Sequence, residues 1–188
     1  MIKKITFSLK LSIFIILPLR SEEDINPDLA LSYFMQGEFL MSQGNYALAI
    51  LEFQEAIAID PNASTIHVAI ADGYIKVGKL KRSETHLKIA IELDPDETEG
   101  LDMLGQIYFS QKRHSDAQQI YKRLHTTDPD NLDYIFILAD LHRIQKNWDS
   151  SIDYYMLAYN VNTLAIKGLE QALQIALSTN KLKRAEEI

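Results

Sequence analysis

Residues 98–131 read TEGLDMLGQIYFSQKRHSDAQQIYKRLHTTDPDN, and this stretch decides the fold. Leu101, Leu104, Gly105 and Tyr108 stand at its places 4, 7, 8 and 11, a spacing that puts them on one face of a helix. Ala117, Tyr121 and Leu124, at places 20, 24 and 27, form a second face. Two apolar stripes in succession predict an antiparallel helical hairpin. Asp128-Pro129 then closes it, because proline cannot continue a helix, whereas its fixed φ suits the first turn of the next.

The same punctuation recurs at Asp60-Pro61 and Asp94-Pro95, with the three prolines each 34 residues apart. That period sets a register beginning at Ala30, Ser64, Thr98, Leu132 and Ile166, in which other columns align. Place 8 holds Gly37, Ala71, Gly105 and Ala139; place 20 holds Ala49, Ser83, Ala117 and Ser151. Small residues there let two helices cross closely. Phe53, Leu87, Tyr121 and Tyr155 at place 24 fill the space around the crossing. Polar connections such as Ser42–Tyr46 and Gln145–Trp148 join the two helices of a unit. The expectation is an all-α solenoid of about four and a half repeats with no strand: 30–63, 64–97, 98–131, 132–165 and a partial 166–188. Helices are expected near 28–43, 46–59, 63–77, 80–93, 97–111, 114–126, 131–145, 148–160, 164–178 and 181–188.

Ahead of the repeats, residues 1–21 carry Lys3, Lys4, Lys10 and Arg20 and no acid, with an uncharged run Leu11–Leu19 and Ser21 before Glu22-Glu23-Asp24. A basic start, a short apolar run and a small residue predict an export signal cut near Glu22. Uncleaved, residues 5–19 are the alternative membrane anchor, although they fall short of the roughly 20 apolar residues a spanning helix needs. Residues 22–29 read as an acidic linker. Of 188 residues, 47% are hydrophobic and none is cysteine, which excludes disulfides and thiolate chemistry. Beyond residue 21 the chain has 15 basic and 26 acidic side chains, a balance of −11 that repels nucleic acid.

The columns resemble the tetratricopeptide repeat family over residues 30–188. The first unit carries the resemblance through Gly37, Gly44, Tyr46, Ala49, Phe53, Ala56 and Pro61, and the third through Leu104, Gly105, Tyr108, Ala117, Tyr121 and Pro129. The second has His67 in place of an aromatic residue, and the fourth has Thr163 where proline is expected. The resemblance implies a curved array whose first helices line a concave surface that receives an extended peptide or a partner's helix. Places 2, 5, 9 and 12 face that surface. From them come the expected partner-binding residues: Phe34, Glu38, Val68, Asp72, Asp102, Phe109, Phe136 and Asp140. Glu38, Asp72 and Asp140 share place 9 and form an acidic ladder, which suits a basic segment with aliphatic or aromatic anchors. One branch of the family clamps chaperone carboxylates with Lys, Asn and Arg. At those sites this chain has Phe34, Glu38, Ala69, Glu99 and Met103, so a clamp is not expected.

No catalytic constellation, phosphate loop or metal motif occurs in the sequence. Asp94–Thr98 begins like a calcium loop, but its turn glycine comes one place late and no acid closes it. The expectation is therefore a non-catalytic adaptor with no cofactor, no metal and no small-molecule substrate, its partner a protein. The alternative is the repeat portion of a larger or multi-subunit enzyme. His67 and His142 are expected as packed, neutral, hydrogen-bonded rings, and Trp148 as packing across a helix turn. The second helix of the fifth unit is short, and residues 181–188 are expected to fray or to be covered.

Overall fold

A computed structural model describes residues 27–188. Ten helices and no strand occur among these residues. They are α1 Pro27–Ser42, α2 Tyr46–Ile59, α3 Ser64–Lys76, α4 Leu80–Leu93, α5 Thr98–Ser110, α6 His114–Thr127, α7 Leu132–Ile144, α8 Trp148–Val161, α9 Ile166–Ser178 and α10 Leu182–Glu187. Each end lies within two residues of the expected one. The expected export signal, residues 1–21, and most of the expected linker lie outside the described residues. The last part of the expected linker is helical instead, because Pro27 has no N–H to satisfy at a first helical position and Asp28 complements the helix dipole.

Each helix packs on its neighbours in the chain, and α1 also touches α3, as α3 touches α5. The predicted columns make the core. Ala49, Phe53, Ala56, Ala71, Leu87, Ala90, Ala117 and Ala139 are fully buried, and Tyr121, Leu124 and Tyr155 nearly so. The close crossing is visible at glycine: a Cβ on Gly37 would lie 2.4 Å from the Phe53 ring, and one on Gly105 2.8 Å from the Tyr121 ring.

Place 15 closes the first helix of every unit. Gly44, Gly78, Lys112, Lys146 and Asn180 all have positive φ there, between 56° and 76°. The following N–H then reaches back to the place-11 carbonyl, as in Lys79 to Tyr74 (2.8 Å), Arg113 to Tyr108 (2.8 Å) and Lys181 to Ala176 (2.8 Å). The fifth unit therefore shares the backbone of the others. The fourth keeps its turn without proline: Asn162 Oδ1 accepts from Leu164 N at 2.9 Å, as Asp94 Oδ1 accepts from Asp96 N at 3.0 Å.

His67 is buried with Nε2 3.1 Å from the Pro61 carbonyl and Nδ1 3.1 Å from His86 Nδ1. Burial and the facing His67 push His86 down to about 4. His142 stacks on Tyr154 and meets the Gln118 amide at 2.8 Å, with burial lowering its pKa. Trp148 packs against the cluster of Ala139, Ile152 and Tyr155. Residues 182–187 form a helix, with ion pairs to α8 through Lys181–Asp149 (2.8 Å) and Arg184–Asp153. On α9, Ala172, Ile175 and Ala176 are buried against the stack, whereas Leu173 is exposed.

Two buried serines at place 20 give opposite expectations. Ser151 Oγ donates to the Ala139 carbonyl at 2.9 Å, so Ser151→Ala should cost about 1 kcal/mol. Ser83 Oγ has no hydrogen-bond partner among the described residues, so Ser83→Ala should leave stability unchanged or raise it by up to ~1 kcal/mol. Urea denaturation of the two variants checks this; equal losses would contradict it.

Candidate functional site

The first helices bring the expected residues together as two hollows rather than one continuous ladder. At the N-terminal end, about 200 Å³ between α1, α3 and the start of α5 is lined by Phe34, Glu38, Met41, Val68, Asp72 and Glu99, among others. An adjoining hollow of about 250 Å³ shares Phe34 and Thr65 with it and is otherwise mainly apolar, through Pro27, Ala30, Leu31 and Ile66. Farther along, about 370 Å³ is lined by Asp102, Gln106, Asp133, Phe136 and Asp140, with Tyr134 and Ile137 among the walls. Phe109 lines none of these three. Place 12 of this unit lies in the last turn of α5, where its ring meets the edge of His114 at the start of α6, 5.9 Å away.

The acids divide in the same way. Tyr121 Oη donates to Asp102 Oδ1 at 3.1 Å, and Gln106 Nε2 to Asp102 Oδ2 at 2.9 Å. Tyr155 Oη donates to Asp140 Oδ1 at 2.8 Å, and Arg143 reaches the same oxygen at 2.7 Å. Burial, then the adjacent carboxylate, pushes the Tyr121 hydroxyl well up and the Tyr155 hydroxyl up to about 12. Both tyrosines come from place 24. In the first two units that place is Phe53 and Leu87, which have no hydroxyl to give.

Glu38, Asp72 and Glu99 are accordingly less satisfied. Lys76 is 3.7 Å from Asp72, and among the described residues no cation stands within 4 Å of Glu38. Partial shielding of the Glu38 carboxyl, followed by repulsion from Asp72 and Glu99, raises its pKa above the ordinary carboxylate value. Its charging is resisted in the folded chain, so its share of stability is present below the unfolded value and is lost as pH rises through the raised one. An arriving cation removes that opposition.

Glu97 and Glu99 join this hollow although sequence reasoning did not single them out as partner-binding residues. Glu99, at place 2, was legible on the concave face. Glu97 is the last residue of its unit, just ahead of α5, and only the approach of α5 to α3 brings it in.

Tetratricopeptide repeat family models match residues 40–107 and 103–163. The chain belongs to the tetratricopeptide repeat family. It is similar to Hsp70-Hsp90 organizing protein 3 of Arabidopsis thaliana, 28% identical over 117 residues that cover 62% of this chain and 21% of that protein. The match thus spans about a fifth of that relative's length. Among solved structures, MamA from Desulfovibrio magneticus RS-1, solved from its residue 41 to the end, superposes with a TM-score of 0.72 at 15% identity, covering 85% of this chain and 90% of that one. The first repeat domain of Spaghetti (RPAP3), bound to the HSP90 peptide SRMEEVD, superposes with a TM-score of 0.62 at 20% identity, covering 65% of this chain and 98% of that one. These likenesses show the fold. No helix of the described residues is long and apolar enough to cross a membrane.

Proposed function

We propose that the chain is an exported, non-catalytic adaptor that holds an extended segment or helix of a partner protein in its concave groove. The segment is basic and apolar, and the N-terminal hollow reads its charge. The observation that carries this is the convergence of Glu38, Asp72 and Glu99 beside the apolar surface of Phe34 and Val68, with no internal cation within 4 Å of Glu38 among the described residues. The peptide bound to the Spaghetti domain is acidic at its end, with two glutamates and an aspartate. Here such a peptide would meet Glu38 and Glu99, so the same fold presents the opposite charge. Asp102 and Asp140, held by tyrosines, contribute to the walls more than to the charge reading. Export is supported by Lys3, Lys4, Leu11–Leu19 and Ser21. N-terminal sequencing from the native host tests it, and recovery beginning at Met1 would count against it.

The groove is tested by selecting peptides from a random library on the full chain, then measuring fluorescence anisotropy with the best binder. Selected peptides should pair Lys or Arg with aliphatic or aromatic residues. Reversing Glu38 and Asp72 together to lysine should weaken binding by about tenfold, the sum of two modest contacts. Affinity should also fall in salt and as pH is lowered through the raised Glu38 range. Enrichment of acidic C-terminal peptides would sink the reading.

A further inference from the structure

The chemistry that suits the acidic hollow occurs in the chain itself. Residues 1–21 hold Lys3, Lys4, Lys10 and Arg20 with no acid, and the uncharged run Leu11–Leu19 ends directly before Arg20. Residues 22–26 join this basic and apolar segment to Pro27, the first residue of α1. Pro27 lines the mainly apolar hollow together with Leu31 and Phe34. Phe34 and Thr65 continue into the acidic hollow, whose walls carry Glu38, Asp72, Glu97 and Glu99 and, among the described residues, no base. Lys76, 3.7 Å from Asp72, is the nearest internal partner of these acids. The segment is therefore attached beside the surface whose charge it complements.

Covalent geometry sets what can reach that surface. Glu38 is eleven residues beyond Pro27 on α1, about 16 Å along the helix axis. Arg20 is seven residues before Pro27, a length of chain that spans at most about 25 Å. Arg20 thus reaches Glu38 with length left for the chain to reverse direction over Glu22–Asp24. Those three acids would oppose Glu38 and Asp72, so the matching part of the segment begins at Arg20. Lys10 hangs on a tether more than twice as long. A short tether holds its end at an effective concentration of about a millimolar, so a contact too weak to retain a separate peptide is filled here.

We infer that residues 10–21 turn back along α1 and occupy the N-terminal hollow of their own copy, with Arg20 beside Glu38 and Asp72 and Leu19 against Phe34. This rests on the groove reading above for the charge that the hollow selects. It adds that the chain carries its own competitor. While residues 1–21 are attached, a partner segment has to displace them, and a cut near Glu22 opens the hollow. Partner uptake then follows processing instead of preceding it.

Photo-crosslinking on the full chain tests this. Thr65 is exposed and lines both hollows, so Thr65→p-benzoylphenylalanine sets the reactive group between them. In a mixture of isotopically heavy and light copies, mass spectrometry separates links within a copy from links between copies. Links from position 65 to residues 10–21 of the same copy are expected. Arg20→Glu should lower their yield by about fivefold, because a modest attraction becomes a repulsion. Adding Glu38→Lys to Arg20→Glu should restore the yield, which a purely apolar contact would not do. The fluorescein-labelled peptide Leu-Lys-Leu-Arg-Leu should bind the Arg20→Glu chain more tightly than the parent by about the same factor. Links only between copies, no links, or a yield unmoved by Arg20→Glu overturns the inference. If the peptide then binds parent and variant equally, the groove reading stands without it. If same-copy links follow the charges and the peptide binds neither chain, the inference stands and the groove fails as a partner site.

Discussion

Tyr121→Ala should cost about 3–5 kcal/mol, the range for deleting a buried aromatic ring. Tyr121 is 1% exposed and packs among Leu104, Ala117, Leu124 and Leu138. Its ring also lies 6.2 Å from that of Tyr134, so the loss includes the junction between third and fourth units. Gly105 deepens the cavity left behind, because it has no side chain with which to fill the gap. Tyr121→Phe keeps the ring and removes only the hydroxyl bond to Asp102, at about 1 kcal/mol. The two variants separate packing from the latch that holds an acid in the groove wall. Urea denaturation followed by circular dichroism measures both. An alanine variant within 1 kcal/mol of the parent would mean that this column does not organise the unit. Because each repeat touches only its neighbours, the damage should be largest at α5–α7 and fade towards α1.

The columns that carry this expectation were legible in the sequence, because a 34-residue period repeats the same packing problem and restricts the same places to the same sizes. The backbone at place 15 was legible only at Gly44 and Gly78. Lys112, Lys146 and Asn180 adopt the left-handed conformation without the residue that advertises it. There the helix-closing hydrogen bonds to the place-11 carbonyls of Tyr108, His142 and Ala176 offset a backbone cost of roughly 1–2 kcal/mol. The groove was half legible. Helical spacing placed Phe34, Glu38, Val68 and Asp72 on one surface, and they meet there. The same spacing could not show that Asp102 and Asp140 are engaged from beneath. That depends on the tilt of a place-24 tyrosine, which reaches place 5 over Gly105 and place 9 over Ala139. Phe109 shows the limit of spacing at a helix end, where the neighbouring turn supplies a closer partner in His114.

Gly168→Ala should destabilise the C-terminal end by about 1–3 kcal/mol, although alanine is the better helix former by about 1 kcal/mol. Gly168 begins α9 against α8, and a Cβ there would lie 2.5 Å from the Tyr155 carbonyl oxygen. A backbone oxygen cannot rotate aside as a flexible side chain can. Relief requires α9 to move off α8, which loosens the contacts of Ala172 and Ala176 with Ile152 and Tyr155. Gly100 occupies the same place in the third unit and makes the control. Its nearest obstacles are the side chains of Glu97 and Val68, each at 3.2 Å, so Gly100→Ala should cost less. Hydrogen exchange should then show α9 and α10 opening more readily in the Gly168 variant, with α1 and α2 unchanged. Unchanged protection in α9 would mean that α8 and α9 sit farther apart than 2.5 Å allows, and the close docking of the fifth unit would be wrong.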